Sequence, residues 1–313
     1  MRAPEFWQRR GFASALLAPL GALYGASVAW KAQHARPYRA KARVLCVGNL
    51  TAGGSGKTPV AIAIGAHLKA KGRRVFFLTR GYGGSLAGPL QVQAGHKAAD
   101  VGDEALLLAQ TAPTVVARDR AAGATLAEKS GAEIIVMDDG HQNFSLAKDL
   151  SLVVVDGETG FGNGRMIPAG PLREPVRQGL ARADLVVIMN GGDPDLMDYD
   201  GSRLRARLAT IDADLKGRRV FAFAGIGRPE KFVASLKHAG AIVTGTQFFA
   251  DHHPFTSEEI ASLKARAGDA LPITTAKDFV RLSKSERGDI AVLSVQARFD
   301  DNAALDRLLA RLA

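Results

Sequence analysis

Apolar residues along the chain fall into short β-branched runs separated by stretches with helical spacing. The runs predict strands at 44–47, 75–79, 114–117, 134–137, 152–155 and 185–189, each four or five residues long and apolar but for Thr79 and Thr114. Strands that read as continuous apolar runs are those buried on both faces, as in a parallel sheet covered by helices. Helices are expected between them, notably from Lys57 to about residue 71 and around 103–110. After Asn190 comes a passage rich in Gly, Asp and Pro (191–201), and a second alternating series begins with a strand at 220–224. This pattern divides the chain into a larger α/β core over 41–205 and a smaller C-terminal α/β unit over 206–313. No internal repeat is visible.

The first forty residues follow a different rule. Positions 12–30 carry no charge, and the large side chains Phe12, Leu16, Leu20, Leu23 and Tyr24 recur at helical spacing among Ala, Ser and Gly. Residues 1–40 are therefore expected to form a basic, apolar, membrane-associating helix. Its lopsided and modest hydrophobicity favours lying in the bilayer interface, with a true span and a helix packed on its own domain as alternative readings. Trp7 and Trp30 near the ends suit the headgroup level.

Charge sharpens this picture. The 313 residues carry 41 Lys and Arg against 31 Asp and Glu, a formal +10. Residues 1–43 hold eight of the bases and one acid, Glu5, leaving the remaining chain nearly balanced. The excess belongs to an arm suited to anionic lipid, and it argues against a nucleic-acid binder, whose basic surface would spread over the folded body. The single cysteine, Cys46, excludes an internal disulfide and gives no sign of an oxidising compartment.

Chemistry enters at the end of the first strand, which runs into Gly48-Asn49-Leu50-Thr51-Ala52-Gly53-Gly54-Ser55-Gly56-Lys57-Thr58-Pro59. Strand, glycine-rich loop and helix together make a phosphate-binding loop. Backbone N–H groups from Thr51 to Gly56 would cradle phosphate oxygens, Lys57 would reach the β- and γ-phosphates, and the Thr58 hydroxyl would ligate Mg²⁺. Thr51 stands where the strict pattern has its first glycine. The apolar run at 134–137 ends in Asp138-Asp139-Gly140. Asp138 suits a metal-holding carboxylate, and Asp139 a second acidic group in the site. The fold expected is thus a P-loop NTPase-type, mostly parallel sheet flanked by helices, binding ATP and Mg²⁺.

Six motifs then follow in order: the extended phosphate loop, Arg80-Gly81-Tyr82-Gly83-Gly84, Val101-Gly102-Asp103-Glu104, Asp138-Asp139-Gly140, Pro168-Ala169-Gly170-Pro171-Leu172-Arg173-Glu174-Pro175, and Asp251-His252-His253-Pro254-Phe255. The series resembles the tetraacyldisaccharide 4′-kinase family of lipid A biosynthesis over nearly the whole chain, and the family shares the Thr at the head of the loop. The resemblance implies transfer of the ATP γ-phosphoryl group to the 4′-hydroxyl of an acylated glucosamine disaccharide 1-phosphate. It places the enzyme at the cytoplasmic face of a Gram-negative inner membrane, as a peripheral or monotopic protein. It also implies Asp103 as catalytic base, His252 as its partner, Asp139 and Lys57 in the catalytic centre, Arg173 on phosphate, and Glu174 in the Mg²⁺ shell beside Thr58 and Asp138.

From spacing alone Asp103 reads equally as a helix N-cap or first-turn residue, Arg173-Glu174 as a solvated helix start, and His252-His253 as loop residues or zinc ligands. Arg80, Arg118 and Arg120 are phosphate contacts or exposed charges. The sequence departs from the family at Gly140-His141-Gln142-Asn143, where Phe-Gln-His usually follows the glycine; Asn143 cannot titrate near neutrality, and His141 either substitutes or packs. The 162–175 stretch, rich in Gly and Pro, suggests a moving lid or hinge. The rival function is a membrane-associated P-loop ATPase of partitioning or metallochaperone type; partitioning proteins carry Lys where this chain has Ala52.

Overall fold

The structure is a computed structural model that describes residues 4–197, 199–211 and 214–312. Twelve strands are present among them: β1 (Arg43–Gly48), β2 (Val75–Thr79), β3 (Leu90–Gln91), β4 (Thr114–Val116), β5 (Ile134–Asp138), β6 (Leu150–Asp156), β7 (Leu185–Met189), β8 (Ser202–Ile211), β9 (Arg219–Ala224), β10 (Ile242–Phe248), β11 (Leu271–Thr275) and β12 (Ala291–Phe299). They form one sheet in the order β10-β9-β11-β12-β8-β7-β6-β1-β5-β2-β4-β3. The architecture is α/β, with a mostly parallel mixed sheet.

The strands expected from sequence are all present, with ends moved by one or two residues. Five strands have no individually expected counterpart: the short β3, the long β8, and β10, β11 and β12, which continue the second alternating series that begins at 220–224. β8 escapes because it alternates exposed and buried positions with several arginines (Ser202 to Ile211), so no apolar run marks it, and the junction expected at 205–206 falls inside it.

From β4 to β8 the neighbours pair in parallel, so their C-terminal ends, including Gly48 and Asp138, gather at one edge. β12 pairs with β8 antiparallel, from Ser294 opposite Ile211 to Phe299 opposite Ala206. β11, β9 and β10 then continue parallel to β12. The reversal at β8–β12 turns the strand ends of the C-terminal part back toward those of the core. Loops from both sets therefore meet.

The helix Lys57–Ala70 follows the phosphate loop and packs its Val60, Ala61 and Ile64 against Leu45, Phe77 and Val136 of the sheet. Gly65 sits over Phe77, where an added Cβ would lie 2.3 Å from the ring tip. The close approach of helix and strand requires that notch.

The arm is a broken helix: a turn at Glu5–Trp7, a short helix Phe12–Leu16, and a longer one Ala18–His34. Leu17 joins the two helices, and Pro19 sits in the first turn of the second, where a missing N–H costs little. Its faces are inverted relative to a soluble helix. Ser14, Gly21 and Gly25 are buried, whereas Phe12, Leu16, Leu20 and Leu23 face outward, with Phe12 86% exposed. No helix among the described residues is long and apolar enough to cross a membrane.

Because Phe77 is fully buried and cannot yield, Gly65→Ala should destabilise the fold by about 1–3 kcal/mol through overpacking. A denaturant midpoint equal to the parent's would show that the helix shifts to absorb the methyl.

Candidate functional site

The phosphate loop is built on two close approaches. A Cβ at Gly48 would lie 2.5 Å from His141 Cβ and 2.9 Å from its backbone nitrogen, so β1 can turn only through glycine. Gly53 and Gly56 have φ of 119° and 90°, in the left-handed region that lets N–H groups turn inward at the start of the helix. Asn49 donates from Nδ2 to Ser55 Oγ at 3.0 Å across the loop. The far side is laced to the 171–173 segment: Ala52 N–H donates to Pro171 O at 2.7 Å, and Arg173 N–H to Leu50 O at 2.8 Å.

The pairing of Val47 with Asp138 brings the acidic pair beside this loop. Thr58 Oγ1 donates to Asp138 Oδ2 at 2.9 Å, while Asp138 Oδ1 is buried with no hydrogen-bond partner. Burial and the neighbouring Asp139 raise the Asp138 pKa to about 6. An orphaned, buried carboxylate oxygen next to a hydroxyl is the donor set a Mg²⁺ ion would complete with phosphate oxygens and water. The described residues hold no cluster of three His, Cys, Asp or Glu side chains able to cage a metal alone.

Asp139 has φ of 54°, which swings it out of the strand. Its carboxylate accepts from Arg173 Nη1 at 2.7 Å and lies 3.7 Å from Lys57 Nζ. Burial works to raise its pKa, yet these two cations hold it below the usual range. Lys57 is pushed down by burial, with Asp139 opposing. Glu174 is buried, and its two oxygens accept from Gln142 Nε2 at 2.8 Å and Arg182 Nη2 at 2.6 Å. Any metal contact at Glu174 would be shared with those donors. The Arg173-Glu174 pair is thus an ordered part of the site, and the helix begins only at Val176.

Asp103 opens the helix Asp103–Ala109, but it is no cap: it is buried, and its Oδ2 accepts from His252 Nδ1 at 2.8 Å and from Arg281 Nη2. His252, at φ of 61°, and Arg281 come from the C-terminal part, so this cluster bridges the two sets of strand ends. Burial raises the Asp103 pKa, but the bonds from His252 and Arg281 outweigh it and bring it to about 2. The bond it donates to Asp103 raises the His252 pKa in turn. Lys277 Nζ meets Glu104 Oε1 at 2.6 Å, a second bridge beside the first.

Arg281 stands outside the six motifs of the sequence, as do Lys277 and Asp278 beside it. Asp278 is buried and holds Arg281 Nη1 at 2.7 Å, while Thr275 Oγ1 donates to its Oδ2 at 2.7 Å. The signal available was local: Thr275, Asp278 and Arg281 at three-residue spacing form a capped turn that aims the guanidinium. Arg120, expected at the surface or on phosphate, is 3% exposed, donates to Ala117 O, and leaves Nε without a partner. Burial, helped by Arg80, lowers its pKa to about 10. Asp119 caps its helix through bonds from Ala121 and Ala122 N–H.

His141 packs. Its Nε2 lies 2.9 Å from Gly179 O and its Nδ1 3.0 Å from Ser151 Oγ, and burial drives its pKa down to about 3. A neutral ring donating from Nε2 to the carbonyl fits both bonds, so its approach to Glu174 is not an ion pair. Asn143 accepts from Ser145 N–H and Oγ in a local turn. His253 pairs with Glu259 and stacks on Phe249, and does not join the cluster.

The family model for tetraacyldisaccharide-1-P 4′-kinase (LpxK) matches residues 13–313. The chain belongs to that family. Among curated relatives, tetraacyldisaccharide 4′-kinase of Paramagnetospirillum magneticum is 54% identical, covering 100% of this chain and 99% of its own. That of Rhodospirillum rubrum is 49% identical, at 100% and 98% coverage. A crystal structure of LpxK from Aquifex aeolicus in complex with ATP superposes with a TM-score of 0.81 at 26% identity, over 96% of this chain and 99% of that one.

The Asp103 cluster sets a pH window for stability. Asp103 lies below its unfolded pKa, so its contribution is present above about 4 and lost as pH falls toward 2; His252 lies above its own, so its contribution is present below about 6.5 and lost as pH rises through the raised value. Asp103→Asn should therefore lose about 2 kcal/mol, with the largest gap from parent between about pH 4 and 6.5. Unfolding curves with a pH-independent gap would contradict this.

Proposed function

We propose that this LpxK family member transfers the γ-phosphoryl group of ATP to the 4′-hydroxyl of a tetraacyldisaccharide 1-phosphate, an activity its family and named relatives carry over the full length of the chain. The observation that best supports a phosphoryl acceptor, over an ATPase without one, is the Asp103–His252 pair, its carboxylate buried and held by Arg281, next to Glu104, whose charge acts on Asp138. A nucleotide switch has no need of a carboxylate positioned for a hydroxyl. The partitioning and metallochaperone alternatives are not favoured.

In this reading the backbone of Thr51 to Gly56 and Lys57 hold the phosphates, with Arg173 and Asp139 fixing the position of Lys57 through the contacts described. Bound Mg²⁺, on Thr58 and Asp138, would neutralise charge on the phosphate oxygens. Asp103 orients the acceptor hydroxyl and takes its proton as the new O–P bond forms and the bond to ADP breaks. His252 and Arg281 keep the Asp103 carboxylate ionised and aimed. Glu174 acts through Gln142, whose Nε2 also donates to Asn49 O at 2.8 Å, so it supports the loop from behind.

A four-chain acceptor stays in its bilayer, and the arm supplies the means to reach it. Phe12, Leu16, Leu20 and Leu23 present an outward apolar row flanked by Arg9, Arg10, Lys31 and Arg36. That arrangement suits an anionic surface at the cytoplasmic face of the inner membrane. Trp30 is exposed near the end of the row, whereas Trp7 turns inward and donates to Pro168 O at 3.0 Å.

ATP-dependent formation of a bisphosphorylated lipid in detergent micelles tests the reaction. Lys57→Ala, Asp103→Ala and His252→Ala should each lose about 10²–10⁴-fold in rate; ATP hydrolysis without a lipid product would overturn the kinase reading. Leu16, Leu20 and Leu23 changed together to Ser should cut sedimentation with phosphatidylglycerol vesicles by at least about tenfold while leaving the unfolding transition in place. Unchanged binding would remove the arm from membrane contact.

A further inference from the structure

Tyr82 is 70% exposed, more than any other large apolar or aromatic side chain described outside the arm. Its backbone is the opposite of loose. A Cβ at Gly102 would lie 2.4 Å from Tyr82 O, and one at Gly84 would lie 2.6 Å from Asp100 O. Gly81 and Gly83, at φ of 71° and 80°, let the turn lie flat against the residues leading into Asp103. Gly84 N–H closes the turn on Gly81 O at 3.0 Å, and Ser85 and Leu86 N–H donate to Ala99 and Asp100 O at 2.9 Å. The chain thus fixes a turn and leaves its one large side chain in water.

That side chain stands at the Asp103 cluster. The Tyr82 ring meets His252 at 5.9 Å between centroids with planes 61° apart, so only an edge contact is used and a face remains open. A pyranose ring carries C–H groups on its faces and hydroxyls at its rim. It packs its C–H face on an exposed aromatic ring while its hydroxyls remain free to reach polar groups beside that ring. Asp103 is such a group, one hydrogen bond beyond His252.

We propose that Tyr82 is the positioning platform for the acceptor sugar: the distal glucosamine ring stacks on it and thereby presents its hydroxyl to Asp103. The proposal rests on the kinase reading given above and adds the residue that recognises the sugar ring rather than its phosphate or acyl chains. The ring contact of Tyr82 is with His252 of the Asp103 cluster, so its contribution falls on acceptor binding and not on ATP.

The test is steady-state kinetics of full-length parent, Tyr82→Ala and Tyr82→Phe in mixed micelles, varying disaccharide and ATP separately. Tyr82→Ala should raise KM for the disaccharide about tenfold with kcat within about twofold and KM for ATP unchanged. Tyr82→Phe should restore the parent KM, because the aromatic face is what acts. An unchanged acceptor KM in Tyr82→Ala, or equal losses in both substrates, would overturn the assignment while leaving the kinase intact. Absence of a lipid product from the parent itself would instead sink the kinase reading and the platform with it.

Discussion

The antiparallel pairing of β8 with β12 is the constraint on which the site depends. Parallel strands deliver their connecting loops to one edge, and the core strands bring the phosphate loop and the acidic pair there. The cations that pair with Asp103 and Glu104 come from elsewhere. By reversing direction between β8 and β12, over six paired residues, the sheet sends a second set of strand ends to face the first. His252, Lys277 and Arg281 arrive from that second set and close on Asp103 and Glu104. The charges on the two sides are complementary: the carboxylates of Asp103 and Glu104 on one, and His252, Lys277 and Arg281 on the other.

The electrostatics of the site divide accordingly. On the phosphate side, cations crowd Asp139, while Asp138 is left with an unsatisfied oxygen and a raised pKa, a deficit that suits an incoming cation. At the meeting with the C-terminal part, Asp103 is over-supplied with donors and stays ionised. Two aspartate environments are thus driven in opposite directions, one holding its proton more tightly than usual and the other less. The division follows from burial and neighbours rather than from residue type, since both groups are aspartates.

Much of this was legible in the sequence where physics is local. The core strands announce themselves because burial on both faces demands unbroken apolar runs, and the phosphate loop because its glycines, lysine and threonine are contiguous. β8 was hidden because one of its faces is wet. Asp103 and His252 could be paired only through resemblance to a family, since 149 residues separate them and no spacing rule spans such a gap. Arg281 went unseen for the same reason, although the capped turn that aims it is written in Thr275 and Asp278. Arg120 illustrates a third limit: a charge at a helix start reads as exposed unless the fold is known to wrap around it.

The inverted arm has one further consequence. Gly21 and Gly25 lie so close to Met166 that a Cβ at Gly21 would come within 2.9 Å of its carbonyl. Asn163 fastens the same region by donating to Phe6 O, Ser14 Oγ and Ala169 O. From there the backbone runs through Pro171 and Arg173 straight onto the phosphate loop. With its leucine row seated in a bilayer, the arm would become a ruler: the reactive phosphate would hang at a set height above the lipid plane. Which hydroxyl of an anchored sugar is modified would then depend on altitude as well as on chemistry, and an acceptor floating too deep or too shallow would miss the site even with every contact group intact.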